Sequence, residues 1–384
     1  MLFYLSVLII FVACSVITIK TVVGYSGFKL ATKIWLSFLI LLGWFSPLLL
    51  FGLSGVYDLN VTVYNVLAYA GYTLFGFMII FLTLLMLRDI VWYAIYGVVC
   101  LCQVDAWSVN PKNVSMLNKA NFIVLLCAAF VTVLALHNGW QRPKLNEINI
   151  NSSLVSEDVR IVQISDLHIT RSTPDERLRN IVYEVNALAP HVIVMTGDIM
   201  DDTLTMIDKK LDILKELHAP FGVYSVVGNH EFYSGLNSWS YKARQLGIHI
   251  FFNRGVLLKP LNVFLSGIPD AYTAFSHPTF NINFEKALKG SSKENYRVLL
   301  SHNPSVIDNL TSFNYNMMLA GHTHGGQLFP MHYFVKKANG GYLSGSYKVN
   351  GIDLYVSSGA GTWGPMMRLF APSEIILINI FSKK

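Results

Sequence analysis

The stretch 159–168, VRIVQISDLH, places six residues typical of a buried strand before an aspartate and a histidine that are two positions apart. Farther along, strand-like runs at 191–196 and 222–227 alternate with helix-period segments at 178–188 and 204–217. Alternating strands and helices are typical of an α/β fold with a parallel sheet. Later strand-like runs have fewer helices between them and lie at 263–267, 297–301, 316–320, 353–357 and 374–380. The sequence therefore predicts an α/β domain whose second half is richer in hairpin-like strands.

Polar side chains follow five of these strands at the point where each strand ends. They are Asp166 and His168 after the first strand, Asp198 after the second, Asn229 and His230 after the third, His302 after a later strand, and His322 and His324 after the next. In open α/β sheets, binding sites form in the crevice beyond the carboxyl ends of the strands. We therefore expect these side chains to meet at one edge of the domain.

The types of side chain in this set indicate a metal site. Carboxylate, amide and imidazole ligands suit Mn²⁺, Fe, Zn²⁺ or Mg²⁺, with Mn²⁺ favoured here. The four cysteines all lie in the first 127 residues, so a thiolate site is not predicted in this domain. Two ions held about 3.5–4 Å apart need a shared carboxylate, and such a pair can stabilise both the attacking and the leaving oxygen of a displacement at phosphorus.

The five blocks D-x-H, G-D, G-N-H-[DE], H and G-H-x-H occur in that order. They resemble the calcineurin-like metallophosphoesterase superfamily over roughly residues 158–382. The stretch 321–327, GHTHGGQ, and the ending 355–380 are similar to its bacterial membrane-linked branch. The resemblance implies a four-layer α/β sandwich that binds two divalent metal ions.

The resemblance also implies a role for each matching residue. Asp198 would bridge the two metals, and a bridging hydroxide would attack phosphorus. His230 would lie beside the leaving group as general acid or transition-state stabiliser. The first metal would be held by Asp166, His168 and His324, and the second by Asn229, His302 and His322.

Other polar residues near these blocks have more than one interpretation. Arg171 and Arg368 are candidates for a phosphate contact, because a guanidinium suits phosphate oxygens. Glu231 could orient His230 or have a structural role. Asp201 and Asp202 could be extra ligands, but they fit better at the opening of the following helix.

The amino-terminal part has a different composition. The whole chain is 53% hydrophobic and only 14% charged, and residues 1–136 carry six basic and three acidic side chains. A membrane-spanning helix needs about 20 apolar residues. Four segments qualify approximately, namely Leu2–Ile19, Ile34–Leu53, Val66–Leu87 and Asn121–Leu136. A fifth run, 90–102, is short and contains Trp92, Tyr93 and Tyr96, as an interfacial helix would.

These boundaries predict a membrane region at 1–137, a polar linker at 138–157 and a metallophosphoesterase domain at 158–384. With four spans, the basic residues of 20–33 and 88–120 share one side of the membrane. The positive-inside rule then favours a catalytic domain outside the cytoplasm, on an inner-membrane protein. Arg142 and Lys144 argue for the opposite orientation, as would a fifth span.

The leading hypothesis is a membrane-anchored phosphoesterase with a lipid or membrane-proximal phosphorylated substrate. One alternative is a pyrophosphatase of a nucleotide-linked glycolipid such as UDP-diacylglucosamine, which requires a cytoplasmic domain. Another is a metal-binding sensor module that catalyses nothing. The sequence indicates the bilayer as a partner and leaves protein partners unknown. The near-balanced charge after residue 136 predicts no binding of nucleic acid.

Overall fold

The structure is a computed structural model that describes residues 2–56, 60–103, 109–270 and 281–383. It divides into two compact units, which are considered separately. The first is Met1–Asn138 with Gly364–Met367, and the second is Gly139–Trp363 with Arg368–Lys384.

The described residues of the first unit contain four helices that are long and apolar enough to cross a membrane. They are α1 (Leu2–Ile19, continued by a π-helical turn at Lys20–Gly24), α2 (Leu30–Val56), α3 (Val61–Leu101) and α4 (Val114–Trp140). Where they pack, small residues allow close approach: a Cβ atom on Gly43 would lie 2.6 Å from Cγ of Met78.

The run 90–102, expected to be a separate interfacial helix, is instead the second half of α3, which is continuous over 41 residues. No proline interrupts it, and the charged side chains of Arg88 and Asp89 find partners within the helices. Arg88 lies 2.6 Å from Asp89 and also donates to Asn121 of α4. A helix therefore passes through the charged pair without ending.

The second unit contains, in its described residues, two six-stranded sheets. Its strands are β1 (Lys144–Ser152), β2 (Val159–Ile164), β3 (Val192–Thr196), β4 (Val223–Val226), β5 (Ile248–Ile250), β6 (Arg254–Leu258), β7 (Val263–Gly267), β8 (Tyr296–Leu300), β9 (Met317–Ala320), β10 (Gly345–Val349), β11 (Ile352–Val356) and β12 (Glu374–Ser382). Its α-helices are α5 (Asp175–Ala187), α6 (Leu204–Leu211), α7 (Asn229–Ser234), α8 (Leu236–Gln245), α9 (Phe284–Ala287) and α10 (Met331–Ala338).

The first sheet has the order β1-β12-β2-β3-β4-β5, and the second has the order β10-β11-β9-β8-β7-β6. The strands β2 to β5 are parallel, as are β7, β8, β9 and β11. The antiparallel pairs are β12 with β2, β6 with β7, and β10 with β11. The carboxyl ends of the parallel strands thus present several loops at one edge of each sheet.

Three apolar clusters divide this unit into layers. The inner faces of the two sheets meet in one cluster, where Ile161 and Val194 of the first sheet share a core with Leu265 and Val298 of the second. The outer face of the first sheet packs against α5, α6 and α8, and the outer face of the second against α9 and the 3₁₀ turn Pro304–Asn309. The arrangement of helices, sheet, sheet and helices confirms the expected four-layer α/β sandwich.

The predicted linker 138–157 differs from the structure, because its residues 144–152 form β1. This strand pairs in parallel with β12 along its full length, from Lys144 opposite Glu374 to Ser152 opposite Ser382. It is an edge strand whose side chains are exposed or half-buried. Its asparagines and its glutamate can therefore face solvent, which is why its composition resembles that of a linker.

Candidate metal centre

The predicted ligands lie on loops that remain bonded to each other beyond the ends of the strands. The N–H of Asp166 donates to the carbonyl of Gly197 at 3.0 Å, and that of His168 to the carbonyl of Asp198 at 3.0 Å. The N–H of Gly321 donates to the carbonyl of His302, also at 3.0 Å. The main-chain hydrogen bonding of the sheets thus continues into the loops. It brings residues that are far apart in sequence to one place.

Five of the seven predicted ligands have a left-handed backbone. The φ angles are 54° at Asp166, 45° at His168, 53° at Asp198, 72° at His322 and 50° at His324. A non-glycine residue in this region costs roughly 1–2 kcal/mol. Strain of this kind persists where the surrounding fold holds the residue in place, and it concentrates at functional sites.

The first group of ligand atoms joins Asp166, His168 and His324, which all lie within 4.8 Å of one another. The Nε2 atoms of the two histidines are 2.9 Å apart, and Nε2 of His324 is 3.5 Å from a carboxylate oxygen of Asp166. All three side chains are buried. The set offers one carboxylate and two imidazoles to a single point.

The second group joins Asp198, His302 and His322. Oδ2 of Asp198 lies 3.2 Å from Nε2 of His302, which is 3.1 Å from Nδ1 of His322. The same Oδ2 atom lies 3.6 Å from Nε2 of His168, a member of the first group. Asp198 therefore stands between the two groups, where a bridging ligand would have to be.

The donor set fits two divalent cations. Nδ1 of His302 lies 2.7 Å from the carbonyl of Thr196, which can only accept, so this nitrogen carries the proton and Nε2 turns its lone pair into the centre. Lone pairs that face one another at about 3 Å repel unless a proton or a cation lies between them. Among the described residues, Oδ1 of Asn229 is buried without a hydrogen-bond partner, as expected for an oxygen that binds a metal.

The electrostatics of the protein alone also favour positive charge here. Burial raises the pKa of Asp198, but the charges of His302 and His230 outweigh it, and the net pKa lies well below the usual value. For His302, burial lowers the pKa, but Asp198 raises it more, and the net pKa lies well above the usual value. The carboxylate of Asp198 and the imidazole of His302 thus stabilise each other's charged forms.

His230, at the start of α7, lies beside these groups with its ring slightly exposed. Its Nδ1 is 2.5 Å from Oδ1 of Asp201, and its Nε2 is 4.0 Å from Oδ2 of Asp198. Burial lowers the pKa of His230, but the charge of Asp198 and the hydrogen bond to Asp201 raise it by more, so that the net pKa is about 9. The ring therefore retains a proton near neutral pH and turns Nε2 towards the centre.

Asp201 has a role that the sequence analysis missed. Its two carboxylate oxygens contact Nδ1 of His230 and, at 3.2 Å, Nδ1 of His168. The expected helix-opening position is taken by Thr203, the N-cap residue of α6. The signal available in the sequence was that Asp201 lies only three residues after Asp198. In the structure the backbone between them stays beside the loop of His168, through a β-bridge between Ile169 and Met200.

Glu231 holds the loop of the bridging carboxylate. Its buried side chain accepts from the N–H groups of Asp198 at 3.0 Å, Ile199 at 2.6 Å and Met200 at 2.9 Å. It also accepts from Gly228 at 2.7 Å. Of the two interpretations of Glu231, these contacts favour the structural one. Burial, reinforced by the charge of Asp198, raises the pKa of Glu231 to about 7.

The two arginines proposed for phosphate binding are both held by other groups. The guanidinium of Arg171 is bidentate to Asp202, with distances of 2.7 and 2.8 Å. Arg368 is fully buried, and its three nitrogens donate to main-chain carbonyls of Ser358, Gly359, Gly361, Ala371 and His324. Arg368 thus positions His324 and the loop 358–361, and a phosphate contact by either arginine stays a prediction.

The comparisons with known proteins agree with this geometry. Residues 159–326 match the family model described as calcineurin-like phosphoesterase. An uncharacterized metallophosphoesterase of Helicobacter pylori is 32% identical over 283 residues, covering 73% of this chain and 75% of the relative. One from Campylobacter jejuni is 27% identical over 263 residues, covering 68% and 69%. A zebrafish (Danio rerio) transmembrane protein with metallophosphoesterase domain is 29% identical over 270 residues, covering 67% and 62%.

Proposed function

The chain belongs to the calcineurin-like metallophosphoesterase family and is a metal-dependent phosphoesterase, and from that premise we propose that it hydrolyses a phosphoester of a lipid or membrane-proximal substrate. The observation that carries the catalytic part is the position of Asp198. Its Oδ2 atom lies 3.2 Å from His302 of the second group and 3.6 Å from His168 of the first, and it also lies 4.0 Å from the imidazole of His230.

Hydrolysis forms a bond from the oxygen of water to phosphorus and breaks the bond to the leaving oxygen. Two divalent cations, when bound by the seven ligands, would polarise the phosphoryl group and acidify water. His230 donates its Nε2 proton to the leaving oxygen, while Asp201 keeps the ring oriented through Nδ1. Glu231 holds the loop on which Asp198 lies. His230 thus serves the leaving oxygen, Asp201 the orientation of His230, and Glu231 the position of Asp198.

The lipid or membrane-proximal substrate is supported by the four apolar helices, which would anchor the enzyme in an inner membrane. Anchoring raises the effective concentration of the site near substrates in or beside the bilayer. The catalytic domain is proposed to lie outside the cytoplasm, because four spans place residues 20–33 and the residues following α3 on the opposite side from it. A reporter active only outside the cytoplasm, fused after residue 137, tests this. Activity of a second reporter that works only in the cytoplasm, fused at the same position, would reverse the orientation.

The catalytic proposal is tested with purified full-length protein loaded with Mn²⁺. It is assayed on lipid phosphates, nucleotide-linked lipids and small soluble diesters. We expect Asp198→Asn and His230→Ala to lose nearly all turnover, with His249→Ala, an exposed histidine on β5, as the matched control. Turnover that survives both substitutions would remove the assignment of catalysis to this centre, and a wild-type protein that turns over none of these substrates would favour the metal-binding sensor. A preference for nucleotide-linked lipids would instead favour the pyrophosphatase.

A further inference from the structure

An exposed aromatic surface lies on the second unit, next to the metal centre. We define this aromatic-basic surface by seven residues from α10 and two nearby loops: Met331, Tyr333, Phe334, Lys336, Lys337, Trp363 and Phe370. We propose that this surface docks on the interfacial layer of an anionic lipid bilayer and brings the metal centre to the depth of the headgroups. That the centre would act on a phosphoester at this depth rests on the proposed function, whereas the docking itself does not.

Main-chain and side-chain contacts join the parts of the surface. Leu328 and Leu369 form a β-bridge, and the N–H of Leu369 donates to the carbonyl of Gln327 at 2.8 Å. The amide of Gln327 both donates to and accepts from the main chain of Trp363, at 2.8 and 2.9 Å. The segments 327–334 and 363–370 are therefore fixed to each other.

The aromatic rings continue this connection. The ring of Phe329 lies edge-on to Phe370 at 6.0 Å and to Tyr333 at 6.1 Å, measured between centroids. Phe370 is 77% exposed, Tyr333 is 69% exposed, Phe334 is 65% exposed and Trp363 is 55% exposed. Within the described residues of α10 none is buried. Contiguous exposed apolar area of this kind marks an interaction site.

The composition selects a bilayer as the occupant. Tryptophan and tyrosine are enriched at membrane interfaces, and lysines beside them contact anionic headgroups. Lys336 and Lys337 lie in the last turn of α10, and the segments 327–341 and 361–371 contain no acidic residue. The chain also carries four helices long and apolar enough to span a membrane, so a bilayer is a partner that its composition already indicates.

The surface borders the catalytic groups. The ring of Trp363 lies 6.1 Å from the ring of His230, between centroids. Aromatic side chains of an interfacial helix enter roughly 5–10 Å into the boundary between headgroups and acyl chains. Docking through this surface would therefore hold His230 close to phosphate groups at the membrane surface.

The test uses the full chain in nanodiscs of phosphatidylglycerol and phosphatidylcholine. The four native cysteines are replaced by serine, and an environment-sensitive fluorophore is attached to Tyr333→Cys. The matched control is Tyr183→Cys on α5, because Tyr183 is also 69% exposed. We expect lipids that carry a quencher near the headgroup to remove most of the fluorescence at position 333 and little at position 183.

The lysines give a second, graded measurement. Each lysine near an anionic surface contributes about 1 kcal/mol, so Lys336→Ala and Lys337→Ala should each lower the equilibrium constant for docking about fivefold at low salt. High salt or pure phosphatidylcholine should have the same effect, because both weaken the attraction between lysines and the membrane. Equal quenching at positions 333 and 183, or none at 333, overturns the proposal. Crosslinking of two chains through position 333 without quenching would overturn it in favour of a second copy of the chain.

This measurement is independent of turnover. An unquenched probe on a protein that hydrolyses phosphoesters rejects the docking alone. A quenched probe on a protein that hydrolyses no phosphoester rejects the proposed function alone.

Discussion

Asp201 holds two imidazoles at once, one from a predicted metal ligand and one from the predicted acid. Its carboxylate can accept a hydrogen bond from the Nδ1–H group of each ring, and both rings then keep one orientation and one tautomer. Burial raises the pKa of Asp201, but its hydrogen bonds to the two histidines lower it by more, so that the net pKa is about 2. The carboxylate is therefore ionised near neutral pH and can accept from both rings.

Replacing Asp201 by asparagine should lower kcat and weaken Mn²⁺ binding. An amide accepts through one atom only, so one of the two rings loses its fixed orientation. Loss of such an outer partner typically costs roughly 10- to 100-fold in metal affinity or activity. Steady-state kinetics across an Mn²⁺ titration measure both effects. Asp208→Asn on α6, whose carboxylate contacts Lys242, serves as the control. Wild-type values for Asp201→Asn would show that the bridge between the rings is dispensable.

Glu231→Gln should destabilise the protein. The glutamine amide would turn an N–H₂ group towards main-chain donors that now find a carboxylate oxygen. A buried donor left unsatisfied costs about 1–3 kcal/mol. Calorimetry should record a lower melting temperature, while Glu157→Gln, an exposed glutamate, should melt like the wild type. A fall in kcat without a fall in stability would instead point to a direct role in the reaction.

At the scale of elements, Arg368 ties the loop 358–361 to the turn that carries His324. Arg368→Lys retains the charge but loses the planar fork, so a lysine leaves several of these carbonyls without a donor. We expect a loss of stability of more than about 2 kcal/mol, measured by chemical denaturation. Arg179→Lys, at an exposed ion pair with Glu216, is the control. A stable variant with a raised KM for soluble substrates would favour the phosphate contact instead.

The clustering of the candidate metal ligands could be predicted because the information for it is local. Each of Asp166, Asp198 and His302 directly follows an apolar strand, and parallel strands bring their carboxyl ends together. The partners of the positioning groups could not be predicted in this way, although a structural role was one of the two interpretations of Glu231. Asp201 and Glu231 act through hydrogen bonds to residues of neighbouring loops. Their positions in the sequence do not specify these partners.

The element boundaries show the same limit. The strand β1 has the composition of a linker, and only its pairing with β12 makes it part of a sheet. The run 90–102 was expected to be a separate helix but belongs to α3, which continues past Arg88 because this side chain contacts Asp89 and Asn121. Tertiary contacts decided both cases against local composition.

For the whole molecule, the metal centre links ligand binding to stability. Chelation should lower the melting temperature, because nitrogens of His168 and His324 face each other at 2.9 Å inside a buried cluster. A ligand present at 100 times its Kd stabilises the folded state by about 2.7 kcal/mol. Calorimetry with Mn²⁺ and with a chelator measures the difference. Asp198→Asn should reduce the response, and an unchanged melting temperature in the wild type would contradict a structural contribution of the metals.

The position of β12 between β1 and β2 has a consequence for biosynthesis. The side chains of Asn146 and Glu374 are hydrogen-bonded across 228 residues of sequence. While the ribosome is still adding the residues before 374, β1 and β2 have already been made but lack the strand that belongs between them. Two strand edges remain unpaired for most of translation, and such edges invite wrong pairing. The domain therefore closes its first sheet only after nearly all of it has been translated, and a chaperone that shields those edges would act in that interval.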